Sequence, residues 1–310
     1  MFYTKEEISK RRVQIEAKNA KWINVSKLTF SKIGAYSILI SYVFISVYPF
    51  FWALFTSFKD PHLLNITGLN PIPKMWTTKN YTTLFNGAAS DYIVPWMQNT
   101  IIYSLSSSLL NATLNLLGGY ALAQIALKGK RIIMSYFMVS ILVPSQATFV
   151  PTYYIFQKIG IIDINISPNF FILMIVFSGM ANIVLTFMAR QFFMTQTNEL
   201  EQAGSIEGYN RIQVFFKVTI RKMLPLFFTQ IVLVFMGSWN NYLTFTLFAT
   251  GDPNKMTINS GVLVIARTAI DKEVGYGQML AMSNISFAPM MLIYLISLKV
   301  QLRGIKGGNK

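Results

Sequence analysis

Long uncharged runs alternate with short charged segments along the chain. Residues 33–58, 92–127, 132–157, 169–189, 223–250 and 274–298 contain no Asp, Glu, Lys, Arg or His. A membrane-spanning helix needs about 20 consecutive, mostly apolar residues. The pattern predicts six transmembrane helices in an all-α membrane protein, with only the last two-thirds of the second run in the membrane. Pro144 and Pro151 interrupt the third run. A proline frees the carbonyl four residues back and bends a helix, so a kink is expected there.

The basic residues of the connecting segments give a direction. With the N-terminus inside, segments 1–32, 128–131, 190–222 and 299–310 hold 20 Lys and Arg, against 7 in segments 59–91, 158–168 and 251–273. Acidic residues divide evenly, so almost all of the net +15 falls inside. Lys and Arg favour cytoplasmic loops, which predicts both termini in the cytoplasm. Residues 1–32 read as a basic cytoplasmic segment, either a solvated tail or a helix along the lipid headgroups through Ile8, Val13, Ile15 and Trp22. No short apolar core with a small-residue cleavage site follows, as a signal peptide would need. Residues 33–298 form the six-span membrane domain and 299–310 a cytoplasmic tail.

Composition removes several chemistries. Only 13% of residues are charged, against about 25% in soluble domains. There is no cysteine and a single histidine, His62, so a transition-metal site is not expected. Ion-coupled carriers keep ionisable relays within the membrane, and these runs hold none. The stretch Lys128-Gly129-Lys130 lacks the glycine and hydroxyl of a phosphate-binding loop. No nucleophile–base pair is visible, so the chain does not read as an enzyme. Uphill transport would need energy from a partner. The positive charge follows topology, so no nucleic-acid partner is expected.

Neutral polar groups remain. The second run holds nine, from Asn99 to Asn115, and Asn111 and Asn115 share a helix face. In the fifth run Trp239, Asn240, Asn241 and Tyr242 are consecutive. Amides suit sugar hydroxyls and aromatic faces suit sugar rings. These six residues are pathway candidates, with interhelical hydrogen bonding as the rival role.

The longest internal inside segment, 190–222, contains NELEQAGSIEG, which has the form of a short helix. Asn198 can cap it, Glu199 and Glu201 suit its first turn, and Gly208 can end it. A second helical stretch follows from Asn210. Two short helices at an angle make a compact body that fits a cleft on a soluble partner.

This segment resembles the "EAA" loop of ABC importer permeases, ELEEAAxIDG, from Glu199 to Gly208. Gln202 replaces the signature Glu, Gly204 the second Ala, and Glu207 the usual Asp. YPFFWALFTSFKD, GGYALAQIALKGKR, GSWNNYL and QLRGIKGGNK extend the resemblance over nearly all the chain after residue 33. It is similar to the maltose-transporter type of binding-protein-dependent carbohydrate permease. The resemblance implies a type I ABC importer permease fold with cytoplasmic coupling helices, in the bacterial cytoplasmic (inner) membrane. It also implies a second permease, two ATPase subunits that bind ATP and Mg, an extracytoplasmic solute-binding protein, and a sugar or oligosaccharide cargo. Glu199, Glu201, Gln202, Ala203, Gly204, Glu207 and Gly208 would dock the ATPase. No cofactor is expected in this chain itself. A non-sugar solute and a non-transporting scaffold are the alternatives. Lys255, Arg267 and Lys272 on the last outside loop leave an acidic oligosaccharide open.

Overall fold

The structure, a computed structural model, describes residues 32–60, 70–87, 89–163, 165–196, 204, 206–214, 217, 220–249, 251–271 and 276–307. Helices make up the ordered elements of these residues. They are α1 (Lys32–Thr56), α2 (Lys79–Asn86), α3 (Ser90–Gln124), α4 (Lys130–Ile141), α5 (Ser145–Lys158), α6 (Pro168–Ser178) and α7 (Ile183–Gln196). Then come α8 (Arg211–Val214), α9 (Ile220–Trp239), α10 (Leu243–Phe248), α11 (Ile258–Asp271) and α12 (Tyr276–Gly307).

Helices cover the six uncharged runs, but three of the runs are broken. The third divides into α4 and α5, bent by 102° with Pro144 at the N-terminal boundary of α5. Pro151 lies inside α5 without ending it, so only one of the two prolines interrupts the run. The fourth divides into α6 and α7, bent by 52°. The fifth pauses at residues 240–242, between α9 and α10. Among the described residues, the unbroken helices long and apolar enough to cross a membrane are Lys32–Thr56 and Tyr276–Leu298, and the two bent pairs pass jointly. The segment 251–273, expected as a connecting loop, carries the 14-residue α11, which buries Ile258, Gly261 and Ile265 at helical spacing. The C-terminal tail continues α12 to Gly307.

Helix α3 is the axis. At 1.5 Å per residue its 35 residues extend about 52 Å, well beyond a bilayer's hydrocarbon core. Every fourth residue from Tyr103 through Ser107, Asn111 and Asn115 to Gly119 is buried, which puts the stripe on one face. At its N-terminal end α3 is tied to the segment before α11. Trp96 Nε1 donates to the Pro253 carbonyl (2.7 Å), and Asn99 Nδ2 donates to the carbonyls of Asn254 and Met256 (2.7 and 2.8 Å). At the other end a cluster of Leu116, Ala189, Phe193, Met223 and Leu226 joins α3, α7 and α9. The apolar window of α1 is unburied within the chain, while its C-terminal end meets α12 through Phe50 and Phe287 (5.1 Å between ring centroids).

Gly119 sets the closest approach of α3 to α7. A Cβ there would lie 2.5 Å from the Ala189 Cβ and 2.8 Å from the Arg190 backbone nitrogen. Small residues at such crossings let membrane helices pack by van der Waals contact. Gly119→Ala should destabilise the folded chain by about 1–3 kcal/mol, because the obstruction is backbone and cannot rotate away. Thermal unfolding in detergent checks this; an unchanged midpoint would show that the two helices separate freely.

Candidate functional site

The polar face of α3 opens onto a cavity of about 330 Å3. Helix α3 contributes Tyr103, Ser107 and Asn111, the α6–α7 joint contributes Gly179 and Asn182, and α9 contributes Gly237 and Ser238. Val184, Leu185, Leu233 and Val234 supply apolar wall. Nothing lies within 4 Å of a Cβ built on Gly237, so the wall recedes there. The cavity therefore combines neutral hydroxyl and amide groups with apolar surface, and its lining carries no ionisable acid or base apart from the Tyr103 phenol.

The α6–α7 joint explains how an interrupted helix is tolerated. Backbone groups freed inside a membrane need partners, and such breaks occur where protein or a wet cavity supplies them. Here Asn115 Oδ1 accepts from the Asn182 backbone N–H (3.0 Å) and the Thr186 hydroxyl (2.9 Å). Asn182 Oδ1 in turn accepts from the Leu185 N–H (3.1 Å), capping the new helix. Gln230 Nε2 reaches across from α9 to the Leu185 carbonyl (2.9 Å). Side chains of α3 and α9 thus hold the first turn of α7.

The six predicted pathway residues divide. Asn111 lines the cavity. Asn115, one turn farther along, is buried and serves the α3–α7 junction. Trp239 is 1% exposed, and its Nε1 donates to the Ser286 carbonyl (3.1 Å), so its ring is packing and not an open sugar platform. Asn241 Nδ2 donates to the Tyr103 hydroxyl (3.0 Å), joining the α9–α10 break to α3. Asn240 bonds back to the Met236 carbonyl of its own helix, while Tyr242 is half-exposed. Tyr103, Ser107, Asn182 and Ser238 were missed as cavity residues; the four-residue spacing of Tyr103, Ser107 and Asn111 was the available signal for the first two.

Lys255 corrects another expectation. It is 2% exposed, its Nζ donates to the Asp163 carbonyl (2.6 Å), and Asp252 lies 3.5 Å away. This lysine fastens two outer segments and is not presented to an acidic sugar. Arg267 is exposed, and Lys272 is outside the described residues.

Of the loop residues, Glu199, Glu201, Gln202 and Ala203 lie outside the described residues, as does Asn198. Gly204 is buried, and a Cβ there would meet Val214 Cγ2 at 2.9 Å. Gly208 has φ +81°, in the left-handed region that glycine adopts without strain. The chain then reverses into α8, where Asn210 and Gln213 cap reciprocally: Asn210 Oδ1 accepts from the Gln213 N–H (2.8 Å), and Gln213 Oε1 from the Asn210 N–H (3.0 Å). Glu207 is exposed, and Ile206 is 86% exposed. Ile206 falls inside the quoted motif but was not singled out there, because periodicity alone reads an isoleucine as core. Among the described residues no group of three His, Asp or Glu side chains could hold a metal ion.

Residues 115–306, more than half of the chain, match the family of binding-protein-dependent transport system inner membrane components. The chain belongs to this family. It is an ABC transporter permease and a multi-pass membrane protein. It is 29% identical over 286 residues to the inner membrane ABC transporter permease protein YcjP of Escherichia coli (strain K12), covering 92% of this chain and 98% of that one. It is 26% identical over 265 residues to the arabinooligosaccharides transport system permease protein AraQ of Bacillus subtilis (strain 168), covering 85% and 90%. Its fold matches a chain in the crystal structure of a bacterial ABC transporter involved in the import of the acidic polysaccharide alginate. The TM-score is 0.70 at 17% identity, over 96% of this chain and 99% of that one. The fold is that of a type I ABC importer permease.

Removing the Asn115 carboxamide should disturb the joint more than the cavity. Asn115→Leu leaves the Asn182 N–H without its acceptor, at a cost of about 1–3 kcal/mol. Faster amide exchange at residues 182–186 of the α7 turn than at α12 would report it; uniform exchange would show that Asn115 does not hold the break.

Proposed function

We propose that this permease is half of the translocation pathway of an ATP-driven, binding-protein-dependent importer of sugars or oligosaccharides. It would cross the membrane six times with both termini inside. Its partners would be a second permease, two ATPase subunits that bind ATP and Mg, and an extracytoplasmic binding protein. The observation that carries this reading is the order of features along three helices. The polar cavity comes first, then the Asn115 and Gln230 junction, then the apolar cluster around Phe193, then the loop from 197 to 219.

Helix α7 leads directly into that loop and α9 leads directly out of it. A push on the loop is therefore delivered to two walls of the cavity. The buried Gly204–Val214 contact and the Asn210–Gln213 cap support a loop that moves as one body. The docking surface we assign is the segment Glu199 to Gly208, in which Ile206 and Glu207 are exposed and Glu199 and Glu201 are assigned from the sequence alone. Gln202 would donate or accept a hydrogen bond where the family's glutamate forms an ion pair. Neutral amides and hydroxyls beside apolar wall suit a polyol, whose hydroxyls and C–H faces need both. The arabino-oligosaccharide relative and the alginate-importer structure support a carbohydrate cargo.

Two measurements test the reading. Ile206→Asp, and likewise Glu201→Lys or Gly208→Asp, should lower ATP-driven uptake about tenfold or more, the effect of losing an interface anchor of about 2 kcal/mol. The ATPase should co-purify less with the variant while membrane insertion persists. Intact coupled uptake in all three would remove the docking assignment. Independently, the cognate binding protein should retain an oligosaccharide in a ligand screen; selective retention of a peptide or phosphate would overturn the cargo class.

A further inference from the structure

A second cavity, of about 540 Å3, lies toward the N-terminal end of α3. Three segments wall it. Gln98 and Asn99 come from α3, Asn165 and Asn169 from the entry to α6, and Asp252 and Asn254 from the stretch before α11. Its size falls within the roughly 300–1,000 Å3 of ligand sites. Segments 158–168 and 251–273 are those that the basic residues place outside. On the importer reading that is the side which receives cargo.

The walls are fastened to one another. Trp96 and Asn99 tie α3 to the carbonyls of Pro253, Asn254 and Met256, and Lys255 ties the same stretch to the Asp163 carbonyl. Ser167 Oγ accepts from the Phe170 N–H (3.4 Å) and so fixes the start of α6. A site held in this way loses little freedom when a guest enters.

The groups left over are carboxamides. Asn99 Nδ2 is spent on two carbonyls, which leaves its Oδ1 as an acceptor. Among the described residues, the side-chain amides of Gln98, Asn169 and Asn254 bond to no other group. Each offers two donors and an acceptor. Pro95, Ile166 and Pro168 add apolar surface beside them. The one ionisable group in the lining, Asp252, is already engaged. Its Oδ1 accepts from the Asn254 N–H (3.0 Å), and its Oδ2 lies 3.5 Å from Lys255 Nζ. Lys255 is buried, so the lining presents a carboxylate and no cation to a guest.

We propose that this cavity is an outer binding site for an uncharged saccharide, separate from the cavity lined by Tyr103, Ser107 and Asn111. Sugar hydroxyls bond the amides of Gln98, Asn169 and Asn254, and ring C–H groups lie against Pro95, Ile166 and Pro168. Asp252, with no exposed cation beside it, disfavours an acidic sugar by like-charge repulsion. The choice of saccharide as guest rests on the importer reading; the cavity and its unused amides do not.

Thiol protection in the assembled transporter, reconstituted in nanodiscs without its binding protein, tests the site. The chain has no cysteine of its own. Gln98→Cys and Asn169→Cys each place a thiol on a different wall, and Thr82→Cys, at an exposed position on α2, is the control. The probes are maltotriose and arabinotriose, which are neutral, and trigalacturonate, which is acidic. At about four times the half-protecting concentration, a neutral trisaccharide should slow maleimide labelling of both wall thiols about fivefold. Labelling of Thr82→Cys should not change, and trigalacturonate should protect neither wall. Asn254→Leu, added to either wall variant, should raise the half-protecting concentration about threefold to tenfold, the loss of one hydrogen bond. No protection by either neutral sugar, equal protection by trigalacturonate, equal protection of Thr82→Cys, or an unshifted Asn254→Leu variant would each overturn the proposal. Labelling reports occupancy without transport, so its failure is distinct from failure of the importer reading, which shows as absent ATP-driven uptake when the binding protein is supplied.

Discussion

The structure depends on how the chain satisfies a helix break within its interior. Between α6 and α7 the backbone leaves helical geometry, and its freed N–H groups cannot turn to lipid. Asn115 supplies the acceptor from α3, Asn182 caps the helix that restarts, and Gln230 closes on it from α9. Without these three carboxamides a continuous helix would be the better solution for so apolar a segment. With them, α7 starts at a fixed point and angle, and a polar cavity persists beside it.

The choice of neutral groups follows from the same setting. A charged side chain at this depth would carry a large desolvation penalty and would need a fixed counter-charge. Amides and hydroxyls bond to backbone and to an uncharged guest at lower cost. Apart from the Tyr103 phenol they leave the cavity wall without an ionisable group, which fits the mechanical drive from a partner ATPase proposed above. The connection available is α7 into the 197–219 loop and back through α9. The Gly119 approach and the Phe193 cluster make the stretch between cavity and loop stiff.

Much of this was legible in the sequence because membrane burial imposes long uncharged runs. The helices over the six uncharged runs follow from that constraint. The interruptions were less visible. Residues 179–182 contain no proline; Gly179 and Asn182 suit a helix stop and start, but the side chain that holds the break is 67 residues away. The two prolines of the third run looked equivalent, yet one begins a helix and the other rides within it. Trp239 next to two asparagines suggested a sugar platform, but an indole N–H also needs a buried acceptor, and Ser286 provides it. Lys255 looked like a free cation because its partner, a carbonyl at Asp163, is 92 residues distant. Local chemistry reads well; long-range partners decide which polar residue packs and which faces the cavity.

The central claim is that ATPase closure reaches the cavity through α7. The chain has no cysteine, so spin labels can be attached only where cysteines are introduced. Ile40 on α1 and Val184 on α7 are exposed, and α1 lies outside the body in which α3, α7 and α9 are joined. Their distance distribution in the assembled transporter, measured by pulsed electron paramagnetic resonance with and without ATP, tests the claim most directly. The account predicts a nucleotide-dependent shift of several ångströms. A distribution that stays the same in both states, while the ATPase subunits close normally, would contradict it.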